Sequence, residues 1–359
     1  MLFKLFYSLS SEISFFNVFR YITFRIILAA LTSLLLWFVF GRRFIQALKS
    51  LNIRQYIRPE GPAAHQKKAG TPTMGGIFVL GSALASSLLW ADMTSPLVVI
   101  MWSSILLFGA IGFADDFLKI RRKRNQGLTG KQKLALQIVS ALIAGLLLYA
   151  SPGFDPTLTV PLFKNLIFDL GPFYVLFAVL VLVGSSNATN LTDGLDGLAT
   201  GPIIMCGATY MIFAYCAGNS VIAGYLQISK VFGAAEIAVV LASLIGSSLG
   251  FLWWNTLPAD LYLGDSGSLS LGASLGLAAL IVKQEILLIL VGGIFVIEAM
   301  SVILQVIYFK STKGQRLFRM APIHHHLEAK GFPESKIIVR FWIIAIILGL
   351  AGLSTLKLR

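Results

Sequence analysis

The sequence predicts an all-α integral membrane protein with about ten transmembrane helices, forming one polytopic domain over residues 1–359. Hydrophobic residues make up 57% of the chain and charged residues only 13%, about half the charged share of a soluble domain. The mean hydropathy is +0.82. Apolar runs of about 20 residues, long enough to cross a bilayer, recur along the chain, and a soluble core does not explain them.

The apolar runs place the helices in order along the chain. The span at 267–282 is the weakest of them because it is short and rich in Gly and Ser. Small residues suit close helix packing in membranes. Without this span, the last basic loop would lie on the opposite side of the membrane from the other basic loops, so we retain the span. The longest outer loop, at 151–170, predicts a small hairpin or an interfacial segment. The predicted spans lie near 20–40, 73–91, 97–114, 134–150, 171–184, 201–217, 236–254, 267–282, 286–309 and 337–356.

The positive charges are distributed unevenly between the two sides of these spans. Twenty Lys and Arg residues lie in the odd-numbered gaps and three in the even-numbered gaps. The positive-inside rule therefore places the odd-numbered gaps in the cytoplasm and both termini in the periplasm. Nucleic-acid binding is not expected, because the basic runs abut the spans and lack interleaved aromatic residues. The predicted cytoplasmic loops are 41–72, 115–133, 184–200, 255–267 and 310–336.

These five loops also collect the groups that carry chemistry. All four histidines and six of the nine aspartates fall in or beside them. Charged groups are costly near a membrane, and a chain this apolar does not need them there for stability. The pattern predicts an enzyme active site at the cytoplasmic face of the membrane.

Asp115 and Asp116 end the third span. Two adjacent carboxylates repel each other and lose hydration, so a bound cation or a reacting group that yields a proton would compensate. The alternative is that both aspartates pair with Lys119, Arg121 or Arg122, one turn further on.

Four polar residues then recur at every third position after the fifth span: Asn187, Asn190, Asp193 and Asp196. On a straight helix this spacing drifts by about 60° per step, so the four cannot share one face. Gly194 and Gly197 predict that the helix loosens there. Carboxylates and amides together suit Mg²⁺ and hydroxyl-rich ligands, whereas a helix cap would explain only one aspartate.

Two further loops carry candidate residues. Asp265 follows Gly264 and has no cation in its own loop, which predicts an unpaired carboxylate, although it could simply cap the eighth span. The run 324–326 contains three histidines. Zn²⁺ usually takes spaced ligands, so hydrogen bonding to phosphate or sugar is the favoured interpretation. Glu298, inside the ninth span, is either functional or bonded to a neighbouring helix.

Specific runs of sequence resemble the polyprenyl-phosphate N-acetylhexosamine-1-phosphate transferases over essentially the whole chain. The runs are Thr-Pro-Thr-Met-Gly-Gly at 71–76, the Asp pair at 115–116, Asn-Leu-Thr-Asp-Gly-Leu-Asp-Gly-Leu at 190–198, Gly-Asp-Ser-Gly-Ser-Leu at 264–269 and Pro-Ile-His-His-His-Leu-Glu at 322–328. The three histidines favour the muramoyl-pentapeptide branch over relatives that use UDP-N-acetylglucosamine.

The resemblance implies a reaction and its setting. Undecaprenyl phosphate would react with UDP-MurNAc-pentapeptide, by direct attack or through an aspartyl-phosphate intermediate, giving lipid I and UMP with Mg²⁺ as cofactor. The enzyme would be a homodimer in the lipid bilayer of the bacterial inner (cytoplasmic) membrane.

The resemblance also implies roles for individual residues. It implies that Asp265 binds Mg²⁺, that Asp115 deprotonates or orients the lipid phosphate, and that Tyr262 stacks on uracil. The implied catalytic residues are Asp115, Asp116, Asp265 and His324. The implied substrate-binding residues are Lys68, Thr73, Asn187, Asn190, Asp193, Asp196, Asn255, Tyr262, Gly264, Gln305, His325 and His326.

Other classes match less well. A CDP-alcohol phosphatidyltransferase would need Ala-Arg at 200–201, where this chain has Thr-Gly, and an intramembrane aspartyl protease would need Gly at position 262. A lipid transporter predicts charged groups near the middle of the membrane and paired halves with broken helices. The remaining alternatives are a related N-acetylglucosamine-1-phosphate transferase and, in a different class, a non-enzymatic lipid transporter.

Overall fold

The protein is described here by a computed structural model that covers residues 2–51, 53, 70–122, 124, 126–161, 163 and 166–357. Helices account for nearly all of its regular structure. Lys68, a predicted substrate-binding residue, lies outside the described residues. The helices are α1 (Leu2–Ser8), α2 (Ile22–Ser50), α3 (Gly75–Trp90), α4 (Pro96–Arg122), α5 (Gly130–Tyr149), α6 (Phe173–Thr192), α7 (Thr200–Gly218), α8 (Ser220–Leu226), α9 (Ala234–Asn255), α10 (Gly264–Ile281), α11 (Leu287–Val291), α12 (Gly293–Ser311), α13 (Ile323–Ala329) and α14 (Glu334–Ser354).

Eight helices in the described part of the chain are long and apolar enough to cross a membrane: α2, α4, α5, α6, α7, α9, α12 and α14, the last extended to Lys357. This confirms an almost entirely helical, multi-pass membrane protein. The predicted second span is the shorter apolar helix α3, and the weak eighth span is α10. The count of ten spans and the placement of the termini stay predictions.

Helix α10 lies at the centre of the bundle. Every residue from Ser266 to Ile281 is buried, and the helix packs against α3, α4, α6 and α7. The hydroxyls of Ser268, Ser270 and Ser274 bond to backbone carbonyls of the helix, as when Ser270 donates to the carbonyl oxygen of Ser266 at 2.7 Å. Neighbouring helices therefore shield a segment that is too polar to face lipid.

The predicted hairpin in the 151–170 loop is present. Strands β1 (Thr157–Thr159) and β2 (Ile167–Asp169) pair antiparallel, with Thr157 opposite Asp169. The hairpin lies between the end of α5 and the start of α6.

Contacts between loops fix the start of α10 against two other helices. The backbone N–H groups of Gly75 and Gly76, which open α3, donate to the carbonyl oxygens of Tyr262 and Leu263 at 2.8 Å each. No side chain of the residue preceding α10 caps that helix. Instead, Asp116 of α4 accepts from the N–H of Ser266 in its first turn at 3.1 Å. This arrangement satisfies orphan donors at two helix ends and brings the first, third and seventh gaps together.

Candidate active site

Three carboxylates meet where α4 ends and α10 begins. Ligand oxygens of Asp115, Asp116 and Asp265 all lie within 4.8 Å of one another. Among the described residues, this is the one group of at least three acidic, histidine or cysteine side chains that could share a metal ion. The two aspartates of α4 are buried, and Asp265 is partly buried.

Two lysines lie among these carboxylates. The Nζ atom of Lys119 is 2.6 Å from Oδ2 of Asp115 and 3.0 Å from Oδ2 of Asp265. The Nζ atom of Lys133, in the first turn of α5, is 2.7 Å from the same Oδ2 of Asp265. The prediction that Asp265 is unpaired is therefore wrong. Its own loop contains no cation, but helices α4 and α5 each supply one.

The alternative considered for the aspartate pair is confirmed in part. Lys119 pairs with Asp115 and lies 3.6 Å from Oδ1 of Asp116. One lysine nevertheless cannot balance two carboxylates, and Asp265 adds a third. With all groups ionised, three carboxylates against two ammonium groups leave one net negative charge.

Backbone and amide donors hold each carboxylate in place. Asp115 accepts from the N–H of Leu128 at 2.8 Å, and Asp265 accepts from Nδ2 of Asn190 at 2.9 Å. Gly264, beside Asp265, has a φ of 76°, and a Cβ there would lie 2.6 Å from Oδ2 of Asp116. Glycine therefore suits this position both for its backbone conformation and for its space.

The polar repeat at 187–196 is divided between a helix and a turn. Helix α6 ends at Thr192, so the loosening predicted at Gly194 is present. Asn187 exchanges two hydrogen bonds with Gln137 of α5, at 2.8 and 3.3 Å. Asn190, almost one turn further along α6, is thereby placed beside Asp265.

The second half of the repeat lies in a buried turn. Asp196 accepts from the N–H of Ala259 at 3.0 Å. Asn255 accepts from the N–H of Gly197 at 3.0 Å and donates to the carbonyl oxygen of Leu261 at 2.9 Å. The Asn255 side chain thus joins two loops of the site through backbone contacts.

Asp193 is partly buried at the end of α6. Burial, followed by the negative charges of Asp265, Asp116 and Asp196, raises its pKa to about 8. Asp193 therefore holds a proton at neutral pH while no added cation offsets these charges.

The first gap reaches the site through its last residues. Thr73 is buried, and the carbonyl oxygen of Pro72 accepts from the N–H of Tyr262 at 2.9 Å. Tyr262 is partly buried and lies two residues before Gly264.

The ninth gap contributes helix α13. His324 is fully buried, and its Nδ1 lies 3.0 Å from Oε2 of Glu298 in α12. Glu298 thus bonds to a neighbouring helix, as one of the two interpretations of the sequence expected. His325 pairs within its helix with Glu328 at 2.6 Å.

His326 and Gln305 bind backbone at the edge of the same gap. Nδ1 of His326 accepts from the N–H of Arg319 at 3.1 Å, and Gln305 accepts from the N–H of Phe318 at 2.8 Å. Burial, then the positive charges of Lys330 and Arg319, lowers the pKa of His326, so this ring is neutral at pH 7. The three histidines do not converge on a common point.

Sequence reasoning did not identify Lys133 or Gln137 as site residues. Lys119 had a usable signal, since it follows the two aspartates by three and four residues on one helix. Lys133 and Gln137 reach the site only because α5 packs against α4 and α6, and nothing in the local sequence indicates this.

Comparisons with known proteins agree over the full length of the chain. Residues 98–283 match the family described as Glycosyl transferase family 4, and residues 68–80 match Phospho-N-acetylmuramoyl-pentapeptide-transferase signature 1. Proteins named phospho-N-acetylmuramoyl-pentapeptide-transferase are 56% identical in Desulforapulum autotrophicum and 52% identical in Syntrophus aciditrophicus. Each alignment covers 100% of both chains.

Proposed function

The chain belongs to the phospho-N-acetylmuramoyl-pentapeptide-transferase family, and we propose that it transfers phospho-MurNAc-pentapeptide from UDP-MurNAc-pentapeptide to undecaprenyl phosphate. The products are lipid I and UMP, in the first membrane step of peptidoglycan synthesis. The observation that carries the proposal is the cluster of three carboxylates and two lysines at the end of a membrane helix.

The bonds that change lie in the two phosphate groups. An oxygen of undecaprenyl phosphate forms a bond to the β-phosphorus of the donor, and the bond from that phosphorus to the UMP oxygen breaks. The proton of the lipid phosphate passes to Asp115, and UMP leaves with the electron pair. Phosphoryl transfer depends mainly on positioning and on neutralising charge.

The residues present fit a Mg²⁺ ion. Three carboxylates from two helices lie within 4.8 Å, and oxygen ligands are those that Mg²⁺ prefers. Asp265 would be its main ligand, supported by Asp116. When bound, the ion would neutralise charge on the donor diphosphate.

The position of Asp115 favours a role toward the lipid substrate. Phe113 and Phe117 lie two residues before and after it, on the opposite, exposed face of the same helix, where their rings stack on each other. Exposed aromatic rings on a membrane helix face acyl chains. Asp115 and Lys119 lie near the end of this membrane helix, which is the level at which the phosphate of a lipid in the bilayer would arrive.

The other loops serve the donor. Lys119 and Lys133 already lie on the carboxylates and are placed to bind phosphate oxygens as well. Tyr262 stacks on the uracil ring. Contacts to the diphosphate, nucleoside or sugar are assigned to Lys68, Thr73, Asn187, Asn190, Asp193, Asp196, Asn255, Gly264, Gln305, His324, His325 and His326.

The membrane placement follows from the charge distribution. The site lies between odd-numbered gaps, where the basic residues concentrate, so we place it at the cytoplasmic face of the bacterial inner membrane, with ten spans, one domain and both termini periplasmic. A homodimer, which the family resemblance implies, completes the proposal.

Release of UMP tests the function directly. Purified protein is incubated with undecaprenyl phosphate, UDP-MurNAc-pentapeptide and Mg²⁺, and UMP and lipid I are quantified. Reactions with UDP-N-acetylglucosamine, without lipid or with EDTA are the controls. We expect UMP only with the muramoyl donor, lipid and metal together. Turnover of UDP-N-acetylglucosamine instead would assign the chain to the related branch, and no UMP from either donor would favour a transporter.

A further inference from the structure

We propose that Glu298 is a positioning residue that holds a proton on Nδ1 of His324 and thereby aims Nε2 of that ring at the loop carrying Asp193 and Asp196. The consequence for turnover rests on the proposed function. The arrangement itself rests on contacts among buried side chains.

Glu298 and His324 form a buried pair, and the centre of the His325 ring lies 4.2 Å from that of His324. Both members of the pair are fully buried, and Oε2 of the carboxylate lies 3.0 Å from Nδ1 of the His324 ring. Neither Oε1 of Glu298 nor Nε2 of His324 has another hydrogen-bond partner. Because burying a charge is costly unless it is paired, a carboxylate kept here must act on the histidine.

The chemistry of the pair determines where the proton lies. An ionised carboxylate only accepts hydrogen bonds, whereas a neutral imidazole carries its proton on either nitrogen. A ring that faces Glu298 through Nδ1 must therefore carry a proton there. Nε2 is then the ring nitrogen that points away from Glu298.

The opposite side of the ring faces the site. A Cβ atom on Gly194 would collide with Nε2 of His324, so the ring lies against the backbone between Asp193 and Leu195. Through this packing the buried ring holds the 193–196 loop, and with it Asp193 and Asp196, in position.

An apolar cluster beneath the pair excludes water. It contains residues from the loop, α12 and α14: Leu195, Leu198, Ile294, Ile337, Ile338, Phe341 and Ala345. A hydrogen bond in such surroundings is stronger than one in water. The pair therefore resists the ring flips and tautomer exchange of an exposed histidine.

The test measures the tautomer of His324 and the steady-state kinetics in the wild type and in variants of Glu298 and His324. The chain has four histidines, so ¹⁵N-histidine NMR spectra in detergent are tractable, and His324→Gln identifies the signal. We expect a protonated Nδ1 in the wild type and a shift toward the Nε2–H tautomer in Glu298→Leu. The same variant should lower kcat/KM by about 10- to 100-fold, the range known for carboxylates that orient functional histidines.

A double-mutant cycle separates positioning from general damage. If Glu298 acts only through His324, then Glu298→Leu combined with His324→Gln should lose no more activity than His324→Gln alone. Ser301→Ala is the matched control. Ser301 is a buried neighbour on α12 that bonds only to the Glu298 carbonyl oxygen, and its change should leave the tautomer and kcat/KM within threefold of wild type, roughly the spread of context effects on single substitutions.

Several outcomes would overturn the proposal. They are an unprotonated Nδ1 in the wild type, an unchanged tautomer in Glu298→Leu, or losses that multiply in the double variant. If Glu298→Leu does not fold, Glu298→Gln replaces it, because its amide both donates and accepts and should lower the Nδ1–H population. A wild-type protein that makes no lipid I yet has the expected tautomer would contradict the proposed function and leave the pairing intact.

Discussion

Helix α10 has a buried ionic cluster at each end, and the two clusters differ in how their charges balance. At its start, Asp265 meets two other carboxylates and two lysines. Just beyond its last residue, Lys283 binds Oε1 of Glu285 at 2.9 Å and the hydroxyl of Tyr174 at 3.1 Å. We call these the near cluster and the far cluster.

The far cluster is formed almost locally and is neutral. Lys283 and Glu285 are two residues apart, and the ammonium group also lies 4.2 Å from the centre of the Tyr174 ring. The Tyr174 hydroxyl donates to the same Glu285 oxygen. One cation and one anion leave no charge for a ligand, so this cluster serves to anchor the end of the helix.

The near cluster joins three helices and, with all groups ionised, has one carboxylate in excess. Its members come from α4, α5 and α10, so it forms only when those helices pack. An excess of negative charge favours binding of a cation. Buried charge that balances itself thus indicates a structural role, and buried charge that does not balance indicates a place for a ligand.

Replacing Asp265 should have the largest effect. We expect Asp265→Asn to fold and to lose about 1,000-fold in turnover, or about 4 kcal/mol in the barrier. UMP release measures turnover. The unfolding temperature with and without Mg²⁺ measures whether the variant folds and binds the metal. If the variant kept a tenth of wild-type turnover at ordinary Mg²⁺, Asp265 would not be the main metal ligand, and the near cluster would not differ from the far cluster in binding a ligand.

Matched lysine substitutions test the two ends against each other. Lys283→Met leaves Glu285 buried and unpaired, so it should lower the free energy of unfolding by about 3–5 kcal/mol. The folded fraction should keep its kcat. Lys133→Met should do the reverse, keeping the unfolding temperature and lowering turnover about 10- to 100-fold, because a contact to a charged phosphate contributes about 1.5–3 kcal/mol. Equal stability losses at both ends would contradict the comparison.

Within the near cluster, Asp115 is expected to act on the lipid substrate and not on the UDP-sugar donor. We expect Asp115→Asn to lower turnover about 100-fold, within the range of general base catalysis, while the dissociation constant for the UDP-sugar stays unchanged. Calorimetry with the donor alone measures that constant. If donor binding weakened in parallel with turnover, Asp115 would belong to the donor site.

The effect of Asp193 should be seen in the pH dependence of stability. Its folded pKa of about 8 exceeds the usual value of 3.8, so the metal-free native state binds an extra proton between those values. The free energy of unfolding should therefore fall as pH rises from about 4 to 8, by up to about 1.4 kcal/mol per pH unit. Asp193→Asn should flatten that slope, as measured by thermal unfolding at each pH. An equal slope in both proteins would show that protonation of Asp193 does not cause it.

The sequence predicted the near cluster better than the far one. Asp115, Asp116 and Asp265 were recognisable because polar residues at the edges of apolar spans are unusual, and the alternation of basic gaps placed them on one side. Lys283 and Glu285 were not identified, since their burial depends on how Tyr174 packs. Lys133 was counted only as a topological charge, because its partner lies 132 residues away.

The burial of helix α10 has a consequence for how the chain is made. Eight of its 18 residues are Gly or Ser, and the helices that surround it, α3, α4, α6 and α7, all leave the ribosome earlier. A segment this polar partitions poorly from the translocon into lipid when alone. We expect a glycosylation reporter to show that the isolated α10 segment fails to insert, whereas the same segment inserts behind residues 1–263. Biosynthesis would then complete the near cluster only when Asp265 enters a groove that its partners already line.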